Sequence, residues 1–286
     1  MTTYQFIKEY KHHEKYRLSF NELAKETFGI DFEKWYQAGF WNENYICYSF
    51  IQDEKVIANV SLNTMELIMN GERQKAIQIG TVMTAPEHRR KGLAYKLMEK
   101  VFEDYDQIYD FYFLAANEEA VPLYEKCGFI RNEENKFMIE ICDEPLLDKA
   151  LVPIKVEPEV LLDMKKQSQP LSNVLSAIGD EHVLMFYYTA GFNELIHQPR
   201  PDLYTIFQIE GEELHLYDIL SPNKINLEEL IHEITPKQVK KVICYFTPDT
   251  PIQNLSTSKD DSSNWMIRSD NKTFPALARF PKISQT

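Results

Sequence analysis

The chain has 286 residues, 44% of them hydrophobic, with 9 glycines, 14 prolines, 4 cysteines and a formal net charge of −13 at pH 7. That apolar content excludes disorder on a large scale, and the acidic balance argues against nucleic acid as the main partner, because phosphate binding needs a basic surface. The length fits two domains of ordinary size.

The negative charge is compatible with a cationic substrate such as an amine, and equally with plain solubility. Met1-Thr2-Thr3-Tyr4-Gln5 lacks the basic-then-apolar pattern of a secretory leader. The longest apolar stretch, residues 183–192, is broken by Thr189 and is too short to span a bilayer. Cys47, Cys127, Cys142 and Cys244 are widely spaced, with no CxxC or Cys/His ligand spacing. A soluble, cytoplasmic protein with free thiols, no metal and no membrane partner is the expectation.

Helical spacing runs through residues 12–38, where Tyr16, Phe20 and Leu23 are followed by Phe32, Trp35 and Tyr36. Residues 45–52 and 56–63 read as strands around a tight turn at Asp53-Glu54-Lys55. Residues 65–69 continue that hairpin, and Asn70-Gly71 is the strongest short-range turn signal in the chain. Residues 77–84 return as the next strand, with Ile77, Ile79, Thr81 and Met83 on one face and Gln78, Gly80, Val82 and Thr84 on the other. From Gly92 to about Asp104 the period changes to that of a helix, with Leu93, Leu97, Met98 and Val101 in one stripe. Residues 108–116 form a nearly unbroken apolar run, the mark of a strand covered on both faces. Pro122 suits the first turn of a further helix, and Gly128 its end.

A polar, proline-marked connection follows at residues 143–160, with Asp143-Glu144-Pro145, Pro153 and Pro158. It divides the expected domains, residues 1–145 and 155–286. In the second, residues 183–188, 203–209 and 213–220 read as strands, 227–234 as a helix and 239–246 as a strand. The order of elements echoes the first half, although the residues do not, and suggests an internal duplication. Residues 255–264 are polar and read as a loop.

The chemistry concentrates between residues 77 and 129. A strand enters the loop Ala85-Pro86-Glu87-His88, which runs into Arg89-Arg90-Lys91-Gly92-Leu93-Ala94 at the start of a helix. A helix N-terminus presents unpaired N–H groups and the positive end of a dipole. Small residues at Gly92 and Ala94 let an anion approach the backbone, so the segment suits a phosphate or pyrophosphate. An ordinary solvated basic helix start is the bland alternative. One strand later stands Asn117-Glu118-Glu119-Ala120-Val121-Pro122-Leu123-Tyr124-Glu125-Lys126-Cys127-Gly128-Phe129, which places a phenol nearby.

Arg89-x-x-Gly92-x-Ala94 resembles motif A of the GNAT N-acetyltransferase superfamily, with Ala94 where Gly is commoner. The segment from Asn117 through Tyr124 to Gly128-Phe129 resembles its motif B, and the order of elements extends the likeness over residues 1 to about 140. The resemblance implies an α/β fold with a GNAT-like mixed central sheet and flanking helices, followed by a second, smaller α/β domain as a degenerate GNAT-like repeat. It implies acetyl-CoA as co-substrate, with backbone groups of Val82, Met83 and Thr84 along its pantetheine arm. Amides of Arg89, Arg90, Lys91, Gly92, Leu93, Ala94 and Tyr95 would hold the pyrophosphate, and Asn117 would face the cofactor arm. Tyr124 would protonate the departing thiolate, a modest mismatch for a phenol; a packed core tyrosine is the alternative.

Glu66, Gln78 and His88 are candidates for the general base, beside a water relay, and none is assigned. Residues 31–45, dense in aromatics with three carboxylates, stand where the family builds its acceptor wall; they equally suit a core. The second half has no Arg-x-x-Gly-x-Ala, only Leu220-Ser221-Pro222-Asn223-Lys224-Ile225-Asn226 at the corresponding point. It is similar to the tandem enhanced-intracellular-survival acetyltransferases without their third domain. Its expected use is to shape the acceptor pocket or a homodimer face. In that group the terminal carboxylate, here on Thr286, can serve as base. The expected activity is acetyl transfer to a small-molecule primary amine. A protein or peptide acetyltransferase and a silent acyl-CoA-binding regulator are the rivals.

Overall fold

The computed structural model describes residues 4–142, 147–148, 150–249, 252–270 and 273–285. Asp143-Glu144-Pro145 and Thr286 lie outside the described residues. The first half opens with β1 (Gln5–Lys8), α1 (Glu14–Phe28), α2 (Glu33–Gln37), β2 (Tyr45–Gln52), β3 (Lys55–Met69) and β4 (Glu72–Thr84). It continues with α3 (Leu93–Tyr105), β5 (Phe111–Ala115), α4 (Val121–Lys126), β6 (Ile130–Arg131) and β7 (Asn135–Glu140). The β3–β4 turn at Asn70-Gly71 has φ of 51° and 84°, the pair of left-handed residues that a tight hairpin turn demands. The expected stripe of α3 is the buried one: Leu93, Leu97, Met98 and Val101.

The second half contains α5 (Pro158–Gln167), β8 (Leu175–Ile178), α6 (Glu181–Thr189), β9 (Ile196–Arg200), β10 (Leu203–Glu210) and β11 (Glu213–Leu220). After it come α7 (Leu227–Ile234), β12 (Lys241–Cys244), β13 (Leu255–Lys259) and β14 (Trp265–Arg268). Two expectations fail here. Residues 183–188 are helical, within α6, because Val183 packs into one apolar core while Leu184 and Met185 pack into another. A helix buried on several sides loses the polar face that reveals its period, and a short apolar run then passes for a strand. Residues 255–259 form a strand rather than a loop, since β13 pairs antiparallel with β7 despite its polar side chains. It is an edge strand, where polar residues are tolerated.

The strands form two mixed sheets. The first runs β1-β2-β3-β4-β5-β14-β6, with β8 added beside β3; the second runs β13-β7-β12-β11-β10-β9. In each, an antiparallel pair is followed by a helix and then by a strand parallel to the second of the pair: β3, β4, α3, β5 and again β10, β11, α7, β12. The halves then exchange strands. β14 lies between β5 and β6 in the first sheet, and β7 lies between β12 and β13 in the second. The division at residue 145 is thus one of sequence, while in space each sheet is completed by the other half. Both crossings meet at Glu134, whose carbonyl accepts from the Asp260 amide at 2.9 Å and whose carboxylate accepts from the Phe280 amide at 2.7 Å.

Candidate active site

The site begins where β4 and β5 part. They pair only at Ala76, Ile77 and Gln78 with Phe111, Tyr112 and Phe113. Beyond Gln78, β4 runs on to Thr84 with its β5-facing edge unpaired, which opens a wedge. On the other edge, Asn59 opposes Met83 while Ser61 opposes Gly80, so β4 carries one extra residue, a bulge at Thr81-Val82. Thr81 has φ of 47°, a conformation that costs a β-branched residue about 1–3 kcal/mol.

A buried polar network holds that conformation. The Asn59 side-chain amide donates to the Thr81 carbonyl at 2.9 Å and to Ser61 Oγ at 2.8 Å. Asn59 Oδ1 accepts from Ser49 Oγ at 2.9 Å, and Ser49 meets the Tyr10 hydroxyl at 2.6 Å. The hydroxyls of Tyr45 and Thr81 share a bond of 2.9 Å. Sequence reasoning singled out neither Thr81 nor Asn59, and held Tyr45 only as the end of the aromatic segment 31–45. No local signal marks a left-handed threonine, whose conformation is imposed from neighbouring strands.

Past Thr84 the chain turns through a short 3-10 segment, Pro86–His88, and reaches α3. Gly92 stands at the N-cap position with φ of 74°, and no side chain caps the helix. Arg90 also has positive φ, 60°. The N–H groups of residues 90–95 donate to no acceptor among the described residues. Left-handed backbone followed by uncapped helical N–H groups is the geometry of an anion-binding nest. The side chains of Arg89, Arg90 and Lys91 are exposed around it, and Arg89 Nε is anchored on the Thr84 carbonyl at 3.1 Å. Tyr95 carries the Lys126 ammonium over its ring at 3.9 Å, which ties the start of α3 to the end of α4.

A cavity of about 200 Å³ fills the wedge. Thr81 and Val82 line it from the bulge, and Asn117, Ala120 and Tyr124 from the opposite wall. Asn117 Oδ1 accepts from the Ala120 amide at 2.9 Å and so fixes the turn that leads into α4. Tyr124 is 5% exposed, its hydroxyl bonds no group among the described residues, and burial raises its pKa well above the ordinary phenol value. The structure therefore gathers Val82, Asn117 and Tyr124 around one cavity. It places Arg89 to Tyr95 at the helix start beside it, and it buries the Met83 side chain in the core.

The outer wall comes from afar in sequence: Phe28 at the end of α1, Ile30 and Phe32 just after it, and Phe186 from α6. Of residues 31–45, only Phe32 reaches the cavity. Trp35 and Trp41 are buried, and their indole N–H groups donate to the carbonyls of His182 and Tyr45, both at 3.0 Å. The three carboxylates there are engaged by cations: Asp31 with Lys25, Glu33 with Arg17 and Glu43 with Lys11. None of the base candidates lines the cavity. Glu66 pairs with Arg73 at 3.1 Å beyond the wedge, Gln78 is buried where β4 still pairs with β5, and His88 meets the Tyr4 ring edge-on at 5.9 Å. The loop at residues 220–226 lines a separate cavity of about 240 Å³ in the second half, not the wedge. No group of His, Cys, Asp and Glu among the described residues could hold a metal ion, and no helix is long and apolar enough to cross a membrane.

Residues 8–131 match the family model described as an acetyltransferase (GNAT) domain. No curated protein matches the chain. Similar solved structures include a probable N-acyltransferase of unknown function from Enterococcus faecalis V583, 17% identical with a TM-score of 0.59, over 94% of this chain and 73% of that one. A GCN5-related N-acetyltransferase from Anabaena variabilis ATCC 29413 is 18% identical with a TM-score of 0.58, over 93% and 73%. Eis1 from Mycobacterium abscessus is 14% identical with a TM-score of 0.61, over 94% and 73%. At these identities the likeness is one of fold, and it spans both halves. The fold is GNAT-like, and residues 8–131 are similar to an acetyltransferase domain.

Proposed function

We propose, from the match of residues 8–131 to the acetyltransferase (GNAT) domain family, that the chain moves an acetyl group from acetyl-CoA to a primary amine of a small molecule by direct attack. One observation carries this reading: the open run of N–H donors at residues 90–95 stands beside a wedge that holds a buried phenol. In this reading the donors of Arg89 to Tyr95 take the pyrophosphate. The unpaired edge at Val82, Met83 and Thr84 takes the pantetheine arm, and Asn117 faces that arm. Held there, the thioester lies beside the bulge, where positioning and main-chain donors supply most of the rate.

Tyr124 is the acid. Burial raises its pKa, which keeps the proton on the phenol but widens its mismatch with a thiol, so transfer to the leaving sulfur is uphill and is completed by reprotonation from solvent. The outer wall of Phe28, Ile30, Phe32 and Phe186 bounds the space beyond the thioester, which favours a small acceptor over a peptide. Residues 155–286 form, in this proposal, a degenerate repeat of the same unit without a phosphate site.

Calorimetry with acetyl-CoA, followed by an assay of free thiol over a panel of amines, tests the proposal. Binding with amine-dependent thiol release is the expected result. Binding without release under any amine would leave a silent acyl-CoA-binding regulator. Absence of binding removes the assignment.

A further inference from the structure

The cavity in the wedge has no Asp, Glu, Lys, Arg or His among its lining residues. Its polar groups, Thr81, Asn117 and Tyr124, are neutral, and the nearby carboxylates of Asp31, Glu33 and Glu43 are each held by a cation elsewhere. An ammonium ion entering this space would leave water without meeting a counter-charge. Such desolvation disfavours the charged form of an amine.

We infer that the acceptor is a compact hydrophobic monoamine, aromatic or alkyl, whose carbon skeleton packs among Phe28, Ile30, Phe32 and Phe186 and which attacks in its neutral form. This inference rests on the acetyl-transfer reading and narrows its substrate. The cavity of about 200 Å³ is smaller than the space drug-sized ligands occupy, roughly 300–1,000 Å³, and in that reading the thioester takes the part beside Val82 and Asn117, so the remainder against Phe28, Ile30, Phe32 and Phe186 suits only a small skeleton. Charge acts at two ranges. The net charge of −13 draws protonated amines toward the surface, and the uncharged cavity then admits the deprotonated species.

That division of labour explains why none of Glu66, Gln78 and His88 faces the cavity. The amine leaves its ammonium proton in solvent before it enters, so no side chain has to remove it. The amine nitrogen then bonds to the thioester carbon as the carbon–sulfur bond breaks. The nitrogen releases one further proton to water, the sulfur takes one from the Tyr124 hydroxyl, and the phenolate recovers its proton from solvent. An amide and free CoA thiol result.

The test uses the full chain, with acetyl-CoA binding established first, since failure at that stage would count against acetyl transfer itself. 2-Phenylethylamine and spermidine are then compared by calorimetry on CoA-loaded protein and by thiol release with acetyl-CoA. The expected result is that phenylethylamine binds and reacts at least tenfold better. Phe28, 42% exposed at the mouth, is the place to change the preference. Phe28→Asp should narrow the ratio at least fivefold by offering a counter-charge, and Phe28→Ala should weaken phenylethylamine alone. Equal or better use of spermidine overturns the inference, as does failure of both amines to bind. A third overturning result is octanoyl-CoA binding at least tenfold more tightly than acetyl-CoA while excluding phenylethylamine, which would give the cavity to the donor's acyl chain.

Discussion

The unit β3, β4, α3, β5 and the unit β10, β11, α7, β12 share a construction and differ at the point where chemistry would occur. Both carry a bulge on the second strand, at Thr81-Val82 in β4 and at Tyr217 in β11. In the first, the strands part and leave a cavity. In the second, Tyr217 is 9% exposed and packs against Phe192 and Tyr245, with ring centroids 5.2 and 4.8 Å away, so aromatic rings close the bulge itself, and the cavity of about 240 Å³ lies beyond it against Ile219, Ser221 and Phe246. The helix starts differ in the same sense. Gly92 leaves the donors of α3 open, whereas Asn226 Oδ1 accepts from the amides of Glu228 and Glu229 at 3.1 and 3.4 Å. A side-chain cap and a bound anion compete for the same N–H groups. One unit uses them for stability, and the other keeps them free.

Four substitutions would break or sharpen that contrast. Gly92→Val puts a β-branched side chain where φ is 74° and where an anion must approach, so acetyl-CoA affinity should fall at least 100-fold by calorimetry. Intact affinity would erase the distinction between the two helix starts. Tyr124→Phe should lower turnover at least tenfold while acetyl-CoA still binds, as read by thiol release beside calorimetry.

Glu134 sits where the halves cross, and burial pushes its carboxyl up to about 7 from an ordinary 4.5. A carboxyl with a raised folded pKa weakens the fold once the unfolded chain has ionised. Stability should therefore fall as pH climbs from about 4.5 through about 7 and then level off. Glu134→Gln should remove that fall and gain roughly 1–3 kcal/mol at pH 8, less what its bonds to Phe280 and Ser263 lose, with no gain near pH 4 in urea titrations. The smallest effect belongs to Asn226→Ala, about 1 kcal/mol of stability with acetyl-CoA affinity unchanged. A change in that affinity would mean that the second helix start takes part in binding.

How much of this was legible depended on how local its causes are. Gly92, Ala94 and the run from Asn117 to Phe129 were readable because turn and helix-start chemistry is written in adjacent residues. The strands of the first half and α3 were readable from period. Thr81 was not, since its left-handed backbone comes from Asn59 and Tyr45 on neighbouring strands. Phe186 was hidden further, because the segment containing it reads as a strand and reaches the cavity only through the packing of α6. Trp35 and Trp41 were left open between a substrate wall and a core, and burial makes them core. The exchange of β7 and β14 left no trace in periodicity, which reports that a segment is extended without naming its neighbour.

That exchange governs how the protein can be made. A ribosome delivers the Gly92 loop and β5 well over a hundred residues before β14, the strand that fills the gap between β5 and β6. Until then the nascent first sheet waits with bare edges, a hazard for aggregation. The late arrival also brings Trp265 and Phe280 onto Phe113, with centroids 5.7 and 4.6 Å away. A premature stop after residue 145 should thus yield no stable fragment, and division at the proline-marked seam should leave each product short of a strand the other holds.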